Sequence, residues 1–181
     1  FGDLKSTNEG PDTGRKFINS SMIGIGLTME GINQNEFLYD FMMEKSWRGA
    51  LSFWEMPNWV QNFTIRRYTR PNSTPVRIEL RSVWYRVISV LYNTRDYQEK
   101  QFFTKRPSFA HSPDDLEDAQ EFMNAWDDLV EISEFYRNST LFKYDLVDIS
   151  KEALTYLFNL KYKDLKTAWQ EQDLYAFNEK A

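Results

Sequence analysis

Ile23-Gly24-Ile25-Gly26-Leu27-Thr28-Met29-Glu30-Gly31-Ile32-Asn33-Gln34-Asn35 is the stretch that decides how the chain is read. Branched residues alternating with glycine from Met22 to Leu27 predict a short buried strand, in which Gly24 and Gly26 allow close backbone approach. Glu30-Gly31 then falls just past the strand's C-terminal end, and a helix follows from Asn35, its expected N-cap. In an α/β barrel the catalytic groups sit at that end of the strands. Taken alone, a carboxylate beside a glycine is equally well read as an ordinary loop acid.

The surroundings of Glu30 carry a more specific signal. Gly26-Leu27-Thr28-Met29-Glu30-Gly31-Ile32, then Gln34-Asn35, Tyr39, Met42 and Trp47-Arg48, resemble the alpha-N-acetylglucosaminidases of glycoside hydrolase family 89. The resemblance continues in collinear order through Pro57-x-Trp59-Val60, Arg66-Arg67-Tyr68, Arg81-Ser82-Val83, Arg106-Pro107-Ser108 and Tyr144-Asp145-Leu146-Val147-Asp148. It implies a mainly α fold for this stretch of protein. Residues 1–51 would be the last strand-helix part of a (β/α)8 barrel, and residues 52–181 the beginning of an all-α C-terminal domain.

The resemblance also implies a chemistry. Glu30 becomes the nucleophile of a retaining glycosidase that removes terminal, non-reducing α-linked N-acetylglucosamine from heparan sulfate, with no metal or organic cofactor. Such an enzyme needs a second carboxyl about 5 to 5.5 Å from the first to protonate the leaving oxygen. In the family that general acid lies upstream of residue 1, so these 181 residues alone are expected to be inactive. Proton donation is typically worth about 10² to 10⁴ in rate. A nucleophile must stay ionised, and Thr28, the Gly31 amide, Asn33, Gln34 and Asn35 are local donors that would favour the carboxylate. The rival reading is a non-catalytic helical interaction or sugar-binding module derived from the same family.

Composition narrows the classes further. A net charge of -5 and no long basic run argue against nucleic acid as a partner. No apolar run reaches membrane-spanning length, and the opening Phe1-Gly2 shows no initiator Met or signal-peptide pattern, so the chain reads as a soluble internal piece. The absence of Cys excludes disulfides, thiol nucleophiles and Cys-based metal sites. Asn19, Asn62, Asn72 and Asn138 each begin an Asn-x-Ser/Thr triplet, which hints at a secretory route and, with the resemblance, at a lysosomal or secreted parent that leaves room for a homo-oligomer. Asn72 in a polar loop and Asn138 in an interhelical turn suit a glycan; Asn62, within a helical pattern, suits it less.

Along the chain, residues 1–21 are expected to form a loop, with Gly10-Pro11-Asp12 as a turn signal. Helices are expected from Asn35, from Pro57, after Thr74-Pro75 with Leu80, Val83, Trp84, Val87, Ile88 and Leu91 as its stripe, and after Ser112-Pro113-Asp114-Asp115. On that fourth helix Leu116, Ala119, Met123, Trp126 and Val130 are the expected inner face. A last helical stretch, from about Asp145 towards Asn178, is apolar over a wide arc, implying more than one neighbour, exposed apolar faces in isolation and a tendency to associate. Glu36, Asp40 and Glu44 repeat at i, i+4, i+8, a spacing read as a solvated helix face rather than a metal site because no His accompanies them. The lone histidine, His111, is far from Glu30 in sequence and supports neither a Ser-His-Asp unit nor a metal centre. Gly24-x-Gly26 lacks the third glycine of a dinucleotide fingerprint. Arg66-Arg67-Tyr68-x-Arg70 fits a cationic helix C-terminus, with contact to sulfated sugar as the alternative.

Overall fold

The computed structural model describes residues 3–28, 36–69, 76–92, 106, 108–110 and 118–180. Within these the chain is helical: α1 (Leu4–Lys16), α2 (Glu36–Glu44), α3 (Met56–Tyr68), α4 (Ile78–Leu91), α5 (Ala119–Glu131), a 3-10 turn at Ser133–Tyr136, α6 (Thr140–Gln170) and α7 (Leu174–Lys180). Two compact units result, Phe1–Tyr97 and Gln98–Ala181. The mainly α expectation holds.

The first unit begins with a correction, since a loop was expected where α1 forms. Asp3 caps the helix by accepting from the Lys5 amide at 3.0 Å, and Arg15 and Lys16 complement the dipole in its last turn. Pro11 sits inside this helix and removes a backbone donor. Burial of Pro11 and Asn8 offsets that loss, because the Asn8 amide bonds both backbone groups of Leu51, donating to its carbonyl at 2.8 Å and accepting from its N–H at 2.8 Å. Tertiary contact thus overrides the turn signal.

A second correction concerns Met22 to Leu27, which forms no strand. A strand's backbone groups need a neighbouring ladder, and no strand occurs among the described residues to supply one. The segment is instead tied to the end of α1. The Ser20 hydroxyl donates to the Gly14 carbonyl at 2.7 Å, and the Met22 sulfur lies so close to Gly14 that a Cβ there would meet it at 3.0 Å. Beyond that tether Ile23 is fully exposed.

The core of the first unit is aromatic. Phe37 of α2 lies at its centre, with ring centroids 5.4 Å from Trp59, 5.3 Å from Phe63 and 5.1 Å from Tyr92. Pro57 occupies the first turn of α3 as expected, and the α4 stripe from Leu80 to Leu91 is buried throughout. The Trp84 indole donates to the Tyr68 hydroxyl at 2.7 Å, so these two buried polar groups of α3 and α4 satisfy one another.

In the second unit α5 and α6 pack together, and the Trp126 indole donates to the Ser150 hydroxyl at 2.8 Å. The expected inner face of α5 is rotated by one residue. Phe122, Ala125 and Leu129 are buried, whereas Val130 is exposed. Both sets have helical spacing, and Phe122 rather than Met123 takes the inner position. Ser139 caps α6 through the Phe142 amide, so the helix starts earlier than expected and runs 31 residues. Gln172, in the left-handed region with φ 57°, ends it, and Asp173 opens α7 by accepting from the Ala176 amide at 2.9 Å.

Candidate active site

Glu30 itself, with Gly31, Asn33, Gln34 and Asn35, lies outside the described residues, as do Asn72 and His111. The elements on either side of Glu30 are described. On its N-terminal side the chain leaves α1 through Asn19, at φ 61°, and the Ser20 and Met22 anchors. Thr28 is exposed in the irregular stretch beyond. On its C-terminal side α2 starts at Glu36 with Phe37 fixed in the aromatic core. In chain order the nucleophile candidate falls between α1 and α2.

The acidic stripe of α2 has a defined use. Arg66 reaches Asp40 at 2.9 Å and Glu44 at 3.8 Å, Arg67 reaches Glu36 at 3.7 Å, and Arg48 pairs with Glu44 at 2.9 Å. Glu44 also accepts from the Trp59 indole at 2.7 Å. Burial would raise the Glu44 carboxyl, but the hydrogen bonds from Arg48 and Trp59 and the charges of Arg48 and Arg66 prevail and hold it below the ordinary carboxylate value. The three acids are thus tied by ion pairs to the cationic end of α3, and no metal-holding cluster occurs among the described residues. The same pairs engage Arg66 and Arg67, the cations considered for sulfated sugar.

One buried group was missed by sequence reasoning. Lys45, 1% exposed, directs its ammonium to the Asn8 side-chain oxygen at 2.9 Å and the Gly49 carbonyl at 3.3 Å, over the Phe41 ring at 4.3 Å. Burial, reinforced by the Arg48 charge, lowers it to about 8. Arg15 donates to the Lys45 carbonyl. A signal existed: Phe37, Phe41 and Lys45 recur every fourth residue, so the lysine lies on the apolar stripe of α2.

The glycosylation candidates separate by setting. Asn138 is exposed in the turn before α6, and Asn19 is exposed in the turn after α1. Asn62 is exposed on α3, but its partner Thr64 is fully buried and donates to the Gln61 carbonyl at 2.8 Å. Among the described residues no helix is long and apolar enough to cross a membrane.

Comparison with known proteins gives the family. The model of the alpha-N-acetylglucosaminidase (NAGLU) C-terminal domain matches residues 59–181, and that of the NAGLU tim-barrel domain matches residues 1–49. The chain belongs to the alpha-N-acetylglucosaminidase family. It is 29% identical over 180 residues to the alpha-N-acetylglucosaminidase of Homo sapiens, covering 96% of this chain and 23% of that protein. Two structures of a family 89 glycoside hydrolase from Clostridium perfringens, in complex with 2-acetamido-1,2-dideoxynojirmycin and with PUGNAc, match with TM-scores of 0.84 and 0.82 at 20% and 21% identity. Each match covers 99% of this chain and 21% of the clostridial one, so the chain spans under a quarter of the length of these relatives. The structural likeness carries the fold.

Proposed function

We propose that the chain forms the nucleophile-bearing end of the catalytic barrel, residues 1–51, and the first part of the helical C-terminal domain, residues 52–181, of a retaining α-N-acetylglucosaminidase. The observation that supports this most directly is the family match running from barrel to helical domain across one chain. Glu30 is the attacking carboxylate, the sugar it attacks is a terminal α-linked N-acetylglucosamine of heparan sulfate, the remainder of the chain departs through the glycosidic oxygen, and no cofactor takes part. The compartment is lysosomal or secretory. A homo-oligomer of the whole protein remains compatible with this reading.

The roles divide by proton. Glu30 attacks the anomeric carbon as an anion, forming a glycosyl-enzyme ester, while a second carboxyl outside these residues protonates the departing oxygen and later deprotonates the attacking water. Without that second group the 181 residues turn over no aryl α-N-acetylglucosaminide, and measurable turnover by them overturns that part of the proposal. In the complete enzyme, Glu30→Gly abolishes hydrolysis. Azide with an activated aryl substrate then restores product as the glycosyl azide, because the small anion occupies the place of the lost carboxylate. A Glu30→Gly enzyme with near-normal activity, or with no azide product, removes Glu30 from the role.

A further inference from the structure

The connector between α2 and α3 exposes large aromatic rings that its own rigidity makes costly to explain as slack. Phe53 is 71% exposed and Trp54 82%, their centroids 5.3 Å apart and their planes 81° to one another. Yet the backbone beneath them is fixed. Leu51 is bonded through both backbone groups to Asn8, Gly49 accepts from Lys45, and Ser52 donates through its amide and hydroxyl to Glu55 at 2.8 Å and 2.7 Å.

Phe53 also borders a hollow of about 300 Å³ between α1, the connector and α4. That is the lower end of the size range of small-molecule sites. Around it stand polar side chains that solvent, rather than another side chain, satisfies. Lys5 and Glu9 of α1 and Tyr85 of α4 are among the residues that line the hollow, and none of the three has a side-chain partner among the described residues. Lys5 and Glu9 are four residues apart on one helix face, a spacing that permits an ion pair, but they leave each other free.

We propose that this hollow is a non-catalytic subsite for one neutral pyranose residue. A pyranose presents an apolar C–H face and a rim of hydroxyls. Phe53 supplies a flat apolar surface for the first, with Trp54 standing edge-on beside it, and the free groups of Lys5, Glu9 and Tyr85 supply a donor, an acceptor and a group that is both for the second. One cation balanced by one anion suits a neutral sugar and disfavours a sulfated one, whose charge would meet Glu9. The inference does not depend on Glu30, which lies on a different connection of the same unit.

The test is saturation-transfer NMR on the 181-residue chain with methyl α-N-acetylglucosaminide, methyl α-glucopyranoside and a sulfated disaccharide, followed by Trp fluorescence titration. Weak saturable binding of a neutral glycoside is expected, with a Kd of about 1 mM. Phe53→Ala weakens it about tenfold and Tyr85→Phe about threefold, the latter the size of one net hydrogen bond. Trp169→Ala in the second unit leaves it unchanged, and methyl α-glucopyranoside, which lacks the acetamido group of the proposed substrate, is bound as well, which separates this subsite from the catalytic proposal. Tyr85→Phe deletes only an oxygen, so it reports even if Phe53→Ala disturbs folding. No saturable binding of either neutral glycoside, binding of the sulfated sugar alone, or indifference to both Phe53→Ala and Tyr85→Phe overturns the proposal.

Discussion

The α2–α3–α4 core and the long helix α6 handle apolar residues in opposite ways. In the first, Phe37, Val60, Phe63, Leu80, Val83 and Val87 are all at most 3% exposed, and the charged residues of α2 and α3 stand outside in ion pairs. On α6 the distribution is partly inverted. Val147 is 69% exposed and Leu154 58%, whereas Asp145, Glu152, Thr155 and Asn159 are buried and the Asn159 side-chain oxygen has no hydrogen-bond partner. Burial also pushes the Glu152 carboxyl up, although Lys151 pairs with it at 3.2 Å. A core that closes on itself buries its apolar residues and pairs the few polar groups it takes inside, as Trp84 with Tyr68 and Lys45 with Asn8. A helix with apolar residues around most of its circumference must leave some outside whichever face its own unit takes.

The sharpest way to break this contrast is at its aromatic centre. Phe37→Ala removes a ring that meets Phe41, Trp59, Phe63, Trp84 and Tyr92, and its expected cost is about 3 to 5 kcal/mol. Urea unfolding followed by Trp fluorescence measures it. A loss below about 1 kcal/mol, the ordinary effect of a point substitution, would mean the core does not close around this ring.

A smaller effect, distinguished by its pH dependence, is expected at Lys45. Its folded value is about 8, against an ordinary 10.5. Between those values the unfolded chain holds the proton and the folded chain does not, so stability rises with pH across that window and the cost of the buried ammonium is fully present below it. The groups facing it are Asn8, Asp12 and Arg15 from α1, Glu44 and Phe41 from α2, and Arg48, Gly49 and Glu55 from the connector and its end. Lys45→Met abolishes the slope. Urea midpoints at pH 7.5 and 9.5 for both proteins test it, and parallel behaviour of the two would locate the titrating group elsewhere.

Much of this arrangement was legible before the structure. Helical spacing and first-turn signals located α2, α3 and α4, and the collinear residues around Glu30 pointed to the family. What escaped was decided by contacts between distant residues. Gly10-Pro11-Asp12 is a turn signal locally, yet Asn8 bonding to Leu51, 43 positions away, holds a helix through it. Met22 to Leu27 has a strand's pattern but no ladder partner among the described residues. On α5 the spacing fixed the period and not the phase, because Met123 and Phe122 offer competing apolar stripes. Lys45 stood in plain register with Phe37 and Phe41, but only Asn8 and Gly49 reveal why an ammonium can stand there.

The smallest effect is the most informative about α6. Val147 and Leu154 are seven residues apart on one face of the helix, and both are more than half exposed. If that face contributes nothing to the stability of its own unit, Val147→Asp with Leu154→Asp changes unfolding free energy by no more than about 0.5 kcal/mol per site, the usual range for surface substitutions. The inner face behaves otherwise: Ile149→Ala, at 4% exposure, should cost about 2 to 5 kcal/mol. The two variants differ in chemistry in the unhelpful direction, since a charge is a harsher change than a truncation. A harsher change producing the smaller loss can arise only from where the side chains sit. Equal losses at the two faces would mean that the exposed stripe of α6 is held against something within its own unit, and the contrast with the aromatic core would disappear.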